Sequence, residues 1–405
     1  MTDCTSNSVN ANVAGASDDL TLSARSLKVQ QTGSRSGTVE MSYDYSRPLF
    51  VHTKGIHTAN LRITKDIALR REHCIVIEAV VTSPSTTVHN RLHASSQVNE
   101  RGEYAFVLDL DWSIWDLGMT RAELTITLPA VDGTSSEANV HPGIRAEVPN
   151  GAIGATMLGN TLLKVLDLAT GNGPAHLSDV AANELRLTAH NGNITVHDVY
   201  SEGLVEIKGQ AAWMDIDDVH AGSLVASSVD AVISLKDIVA KTVSATTKNA
   251  RIGLGNVKAD VLTVATTSGE VVAQAVFANV CDVKATKGSI EGCWNPGKKL
   301  FLATSQAKIS AQVVICPDSP VEIVVNSSKG PIELSLPASF TGGFMLETTG
   351  YYKTFVHVPP GAIVQPVLHI SKPDTKAGTI GDGSKRHSLR AITTDAPVSV
   401  NFGCA

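Results

Sequence analysis

The stretch ELRLTAHNGNITVHDV, residues 184–199, decides how the rest of the chain is read. Leu185 and Leu187 stand two apart, as do Ile194 and Val196. That is the strand period, with alternate side chains facing one way. Between the pairs lies His190-Asn191-Gly192-Asn193, made of residues that reverse a chain at low cost. The same wording returns at 262–276 as LTVATTSGEVVAQAV. Coils begin at Leu166, Leu185, Val205, Leu224, Val243, Leu262, Cys281 and Leu300, a period of 19 residues with one step of 20.

Counted from each start, the ninth place holds Ala175, Ile194, Met214, Ile233, Ile252, Val271, Ile290 or Ile309. The fourteenth holds Val180, Val199, Val219, Ile238, Val257, Val276, Asn295 or Val314. The seventh is always small, with Gly173, Gly192, Gly269 and Gly288 alternating with alanines. A helical repeat would need spacings of three and four, and it would not crowd Gly, Thr and Val into its interior. A coil of 19 residues cannot bury its apolar face alone, so neighbours must stack. The expectation is an all-β chain: a β-solenoid of about ten coils, right-handed by base rate, with an N-terminal β cap.

Working outward, residues 1–45 are rich in Ser, Thr and Asn without a period and read as a disordered tail, with a lone strand allowed at Leu27–Gln30. Residues 46–135 are strand-like but irregular and read as the cap, since an open solenoid end exposes unpaired backbone. The repeat domain is placed at 136–405, with a loop or short helix at 155–164 and a loop insertion near 359–387. Its last coil, Leu389 to Phe402, is expected to close the rod. The run GTIGDGSKR (378–386) lacks the ending of a phosphate loop and has no helix to follow it.

Aromatic residues make up only 4% of the chain, which suits a narrow core of small and β-branched side chains. A net charge of −6 is too mild to call for nucleic acid. The six cysteines show no zinc spacing, and Cys281 falls at an inward place as an aliphatic substitute. No apolar run is long enough to span a membrane. No leader is visible, which sets the default compartment as cytoplasmic and leaves the cell surface open. Sequons at Asn193 and Asn326 are no more than chance supplies.

ELRLTAHNGNITVHDV and LTVATTSGEVVAQAV together resemble the putative-adhesin domain family of unknown function, a β-solenoid family. The ending SLRAITTDAPVSVNFG (388–403) is similar to its fungal relatives. The resemblance covers roughly residues 122–405 and implies a repetitive surface or scaffold role rather than an activity.

Three groups of residues are candidates for function. Asp179, Asp198, Asp218, Asp237 and Asn256 share the thirteenth place and should form a ladder, which either binds a cation such as calcium or caps the turns. Trp213, Asp215 and Asp217 alternate with inward Met214 and Ile216, forming a candidate glycan face with an aromatic platform. Lys284, Lys287, Lys298, Lys299 and Lys308 are a candidate polyanion face. Residues 166–240 carry 11 acids and 3 bases, and residues 241–330 carry 10 bases and 6 acids, an asymmetry that favours self-association along the rod. The expectation is therefore a non-enzymatic, adhesin-like binding or scaffold module for a glycan or protein partner, without a cofactor. The alternative is a carbohydrate-active β-helix enzyme, hydrolase or lyase, using Asp215 and Asp217.

Overall fold

The computed structural model describes residues 27–33, 36–44, 47–66, 74–82, 92–110, 120–129, 140–159, 161–211, 213–316, 319–349, 351–359, 365–381 and 387–403. All the secondary structure among them is β, and the parallel coils form a β-solenoid of about ten turns. The chain divides into two compact units, residues 1–193 and 194–405.

The first unit holds β1 (Leu27–Gly33), β2 (Ser36–Asp44), β3 (Leu49–Lys54), β4 (Thr58–Asp66), β5 (Cys74–Thr82), β6 (Leu92–Val98) and β7 (Tyr104–Leu110). It continues with β8 (Arg121–Pro129), β9 (Val140–His141), β10 (Ile144–Val148), β11 (Ile153–Thr156), β12 (Leu162–Thr170) and β13 (Ala175–Ala189). On one side of the stack, Phe106, Val51, Ala146, Leu168 and Leu187 form an inward column. On the next, Ile126, Ile63, Ala155 and Leu177 do the same. Aliphatic side chains thus meet their equivalents at the parallel-strand spacing of ~4.8 Å.

The irregular region proves more ordered than its sequence suggests. Strands β3 and β4 stack in parallel register on β7 and β8, and the pair later in sequence is the outermost. Beyond it the pairing turns antiparallel: β5 on β8, β2 on β5, β1 on β2, and β6 on β7. Part of the presumed tail is therefore a paired hairpin, β1–β2, rather than a lone strand; residues 1–26 lie outside the described residues. The segment 155–164 contains no helix among its described residues. It turns through Met157 and Gly159, both at positive φ.

The second unit begins with β14 (Ile194–Gly209), β15 (Met214–Ser227), β16 (Ile233–Thr247), β17 (Ile252–Thr266), β18 (Val271–Ala285) and β19 (Ile290–Thr304). Its later strands are β20 (Ile309–Val313), β21 (Glu322–Ser327), β22 (Ile332–Leu336), β23 (Gly342–Thr348) and β24 (Thr354–His357). The last are β25 (Val367–Ser371), β26 (Thr375–Ile380), β27 (His387–Thr393) and β28 (Val398–Phe402). The single 20-residue step is a bulge, with the register shifting between Ser201 and Leu204.

Leu389 to Phe402 does not close the stack. The coil β27–β28 is inserted between β21–β22 and β23–β24, parallel to both. The antiparallel pair β26 and β25 covers one side of the outermost coil, so residues 367–380 of the segment near 359–387 form a hairpin. At both ends a coil that is not terminal in sequence takes the outermost place.

Several coils bury a third inward pair where two were expected, and in the coils between them Ala221 and Ala259 are part-buried. Val199 and Ser201, or Ile238 and Ala240, form the third. Buried Thr or Ser at the fourth place closes the turns: Thr304 Oγ1 donates to the Gly288 carbonyl at 3.1 Å, and Ser327 Oγ accepts from the Gly330 N–H at 2.9 Å. A Cβ on Gly288 would overlap the carbonyl oxygen of Gly269, so this turn requires glycine. Asn295 does not hold the inward fourteenth place assigned to it. Gly292, at φ 135°, shifts the phase and brings Trp294 into register with Val276, fully buried. Cys281 is buried as expected, and desolvation pushes its thiol up to about 12.

His141 supplies a pH dependence. It is fully buried in β9, its Nδ1 accepts the Gly143 N–H at 3.0 Å, and desolvation lowers its pKa to about 4. The unfolded chain then binds the proton more readily, so stability contributed above about pH 6.5 is lost as the pH falls toward about 4. Melting temperature should decline across that window, and His141→Asn, which retains an acceptor, should flatten the decline attributable to this group.

Candidate functional site

The aspartate ladder has a backbone explanation. Asp179, Asp198, Asp218 and Asp237 all adopt φ between 47° and 55°. Left-handed residues are costly for most side chains, and Asp and Asn tolerate them best. One such residue per coil also breaks the period of two, so that places eleven and fourteen both face inward. Asn256 is not in this conformation; its Nδ2 donates to Asp237 Oδ1 at 2.9 Å. Among the described residues no group of three or more His, Cys, Asp or Glu is arranged to hold a metal ion.

The five lysines fall on different parts of the coil. Lys284 is at the third place, Lys287 and Lys308 flank the turn, and Lys298 and Lys299 lie at the corner before the next coil. Lys284 reaches Asp282 at 2.9 Å, Lys299 reaches Glu322 at 3.0 Å, and Lys308 reaches Glu333 at 2.7 Å. The structure does not gather them into one polyanion face.

Trp213, Asp215 and Asp217 do share a side of the second unit, and this side is better defined than the sequence shows. Its outward side chains form a grid. The eighth place runs Trp213, Val232, Arg251, Glu270; the tenth Asp215, Ser234, Gly253, Val272; the twelfth Asp217, Lys236, Gly255, Gln274. Two adjacent outward glycines leave a recess of about 230 Å³ over Leu254, bordered by Trp213, Lys236, Arg251 and Gln274. Trp213 is 59% exposed. Asp215 Oδ1 lies 3.3 Å from Lys236 Nζ on the next coil, and Asp217 Oδ2 lies 3.6 Å from His197 Nδ1 on the preceding one. The two carboxylates are thus drawn in opposite directions along the stack.

A second and larger concavity, about 620 Å³, lies on the third side of the same unit. Its floor is Ala221, Ala240, Ala259, Ala278 and Pro296, one from each of five successive coils in direct register. One wall is the row Val239, Lys258 and Phe277, and the other includes Lys241, Asp260 and Asn279. Val239 and Phe277 are each 42% exposed. Asn279 Nδ2 donates to Asp260 Oδ1 at 3.0 Å and stiffens that wall. Apolar residues at an outward place, Tyr200, Val239 and Phe277, were the available signal for this groove in the sequence.

No family profile matches the sequence, and no curated protein matches it. Solved structures provide two comparisons. One is a putative cell adhesion protein from Clostridium sporogenes ATCC 15579, 8% identical over 90% of this chain and 98% of that one, with a TM-score of 0.22. The other is a putative adhesin from Bacteroides fragilis NCTC 9343, 11% identical over 90% of this chain and 96% of that one, with a TM-score of 0.24. Likeness at that level carries no argument about activity. Both proteins are bacterial, so the fungal subgroup expected from the C-terminal stretch finds no support in them.

If backbone conformation explains the ladder, Asp218→Asn should leave the melting temperature nearly unchanged. Asp218→Val should cost about 1–2 kcal/mol, as expected for a β-branched residue forced into the left-handed region. Calcium and a chelator should both leave the wild-type melting curve where it is; a rise with calcium would restore the metal reading.

Proposed function

We propose that this chain is an adhesin-like, non-enzymatic binding module whose partner is a repeating glycan, held in the groove of the second unit. The observation that carries this reading is the groove floor. It repeats one small residue per coil, every ~4.8 Å, so a polymer lying along it meets the same surface at each step. Exposed Phe277 offers a ring face for stacking, while Lys241, Asp260 and Asn279 offer hydrogen bonds at the rim. Among the described residues no helix is long and apolar enough to cross a membrane.

The binding reading is tested by co-sedimentation with a panel of insoluble polysaccharides. Ala259→Phe, which fills the groove, and Phe277→Ala should each weaken binding at least tenfold, and Phe277→Ala, at an outward place, should do so without lowering the melting temperature; retention of no polysaccharide by the wild type would end it. The same panel, assayed for released reducing ends and for unsaturated products, addresses the alternative of a hydrolase or lyase. Release that disappears in Asp215→Asn/Asp217→Asn would establish the enzyme instead.

Self-association is the second reading, and β25 favours it. Its residues are exposed throughout, including Val367, Leu368 and Ile370, and among the described residues it pairs only with β26. An apolar edge strand of this kind is a template for another strand. Light scattering should then report a mass above that of the monomer, reduced by Ile370→Lys.

A further inference from the structure

The recess on the Trp213 side has features that its backbone does not require. Gly253 has no positive φ, and a Cβ built on it would come no closer to a neighbour than 3.9 Å, from the Ile233 carbonyl oxygen. A Cβ is accommodated there without a clash. A glycine inside a strand weakens it, and where no turn or tight contact demands one, it marks a place that another molecule approaches closely. At about 230 Å³ the space falls below the range for drug-sized ligands and suits one ring.

The chemistry of the lining is specific. Lys236 and Arg251 border the recess, and among the described residues no carboxylate does. The nearby acids lie outside it, and each holds one cation: Asp215 the Lys236 amine, and Glu270 the Arg251 Nε at 3.2 Å. Glu270 thereby draws the guanidinium toward the next coil. Beyond this contact with Glu270, the Arg251 side chain makes no hydrogen bond or ion pair among the described residues. A guanidinium presented this way matches a carboxylate with two parallel hydrogen bonds. Ser234 and Gln274 supply hydroxyl and amide groups at the same opening, and exposed Trp213 supplies an aromatic face at its border.

We infer that this recess is a binding site for a sugar ring bearing a carboxylate, a uronic acid within a glycan, with the carboxylate on Arg251 and the ring over Gly253 beside Trp213. The site lies on a different side of the coil from the alanine-floored groove and does not depend on it. The test is calorimetric titration of the full chain with oligomers of galacturonate, glucuronate-containing glycan and alginate, each beside its methyl ester, which keeps the ring and removes the charge. At least one acid should bind tenfold or more tightly than its ester. Arg251→Gln should abolish that preference. Gly253→Val, which fills the recess with a good strand former, should abolish binding while leaving the melting temperature equal or higher. Equal binding of acid and ester, unchanged binding by Gly253→Val, or no binding of any uronate overturns the inference. The groove reading stands or falls separately, on Ala259→Phe and Phe277→Ala.

Discussion

Backbone hydrogen bonds between coils are the constraint on which everything else in this protein depends. A coil has almost none within itself: the N–H of Ile252 goes forward to the Glu270 carbonyl, and that of Asn249 goes back to Val229. Every coil is therefore a template for the next, and deviations must be local. The direct stacking of like on like follows from it. Leucine and isoleucine columns fill the interior, small residues occupy the turns, and amide–carboxylate pairs such as Asn249 to Asp230, at 2.6 Å, recur one coil apart. The same stacking makes the ends expensive, because the last coil has partners on one side only. Antiparallel strands at each end meet that need.

Function then has to reside in the departures from the template. An outward place occupied by the same kind of residue on every coil gives a flat surface, and a concavity needs a change in side-chain size. The groove arises because alanines hold one row while Val239, Lys258 and Phe277 hold the row beside it. The recess arises because two glycines interrupt rows otherwise held by larger side chains. The recess is made by outward residues, which the core does not constrain, whereas the groove floor is the small, largely buried row that ends the third side of each coil, lying between two outward rows.

The regular coils were legible because their signal is local: inward residues two apart, a turn between, and a fixed period. What was not legible depended on backbone angles or on pairings distant in sequence. Gly292 moves Trp294 inward, and no spacing rule announces it. The aspartates read as a chemical ladder because their carboxylates are visible in the sequence and their left-handed φ is not. The lysines at 284–308 are close along the chain yet distributed around the coil, whereas Trp213, Arg251 and Gly253 are 38 and 40 residues apart and belong to one recess. Trp213 was identified from its exposed, acid-flanked setting. Gly253 was not, because a lone strand glycine is informative only once the space around its Cα is known. The coil 387–402 does not take the closing place expected of it for a related reason, since it carries the same template wherever it docks.

That insertion affects how the molecule is made. In a simple solenoid each new coil settles onto the one before as it is synthesised, and the growing edge is always the most recent. Here residues 342–357 leave the ribosome with no parallel neighbour to settle on, because the coil they stack against, 387–402, is translated after them. For about 30 residues of synthesis their strands must wait, and strands in that position are open to the wrong partner. The hairpin β25–β26, encoded between the two coils and antiparallel to β23, is available during that interval. In the order of synthesis it is a temporary companion for β23 before it is a permanent cover.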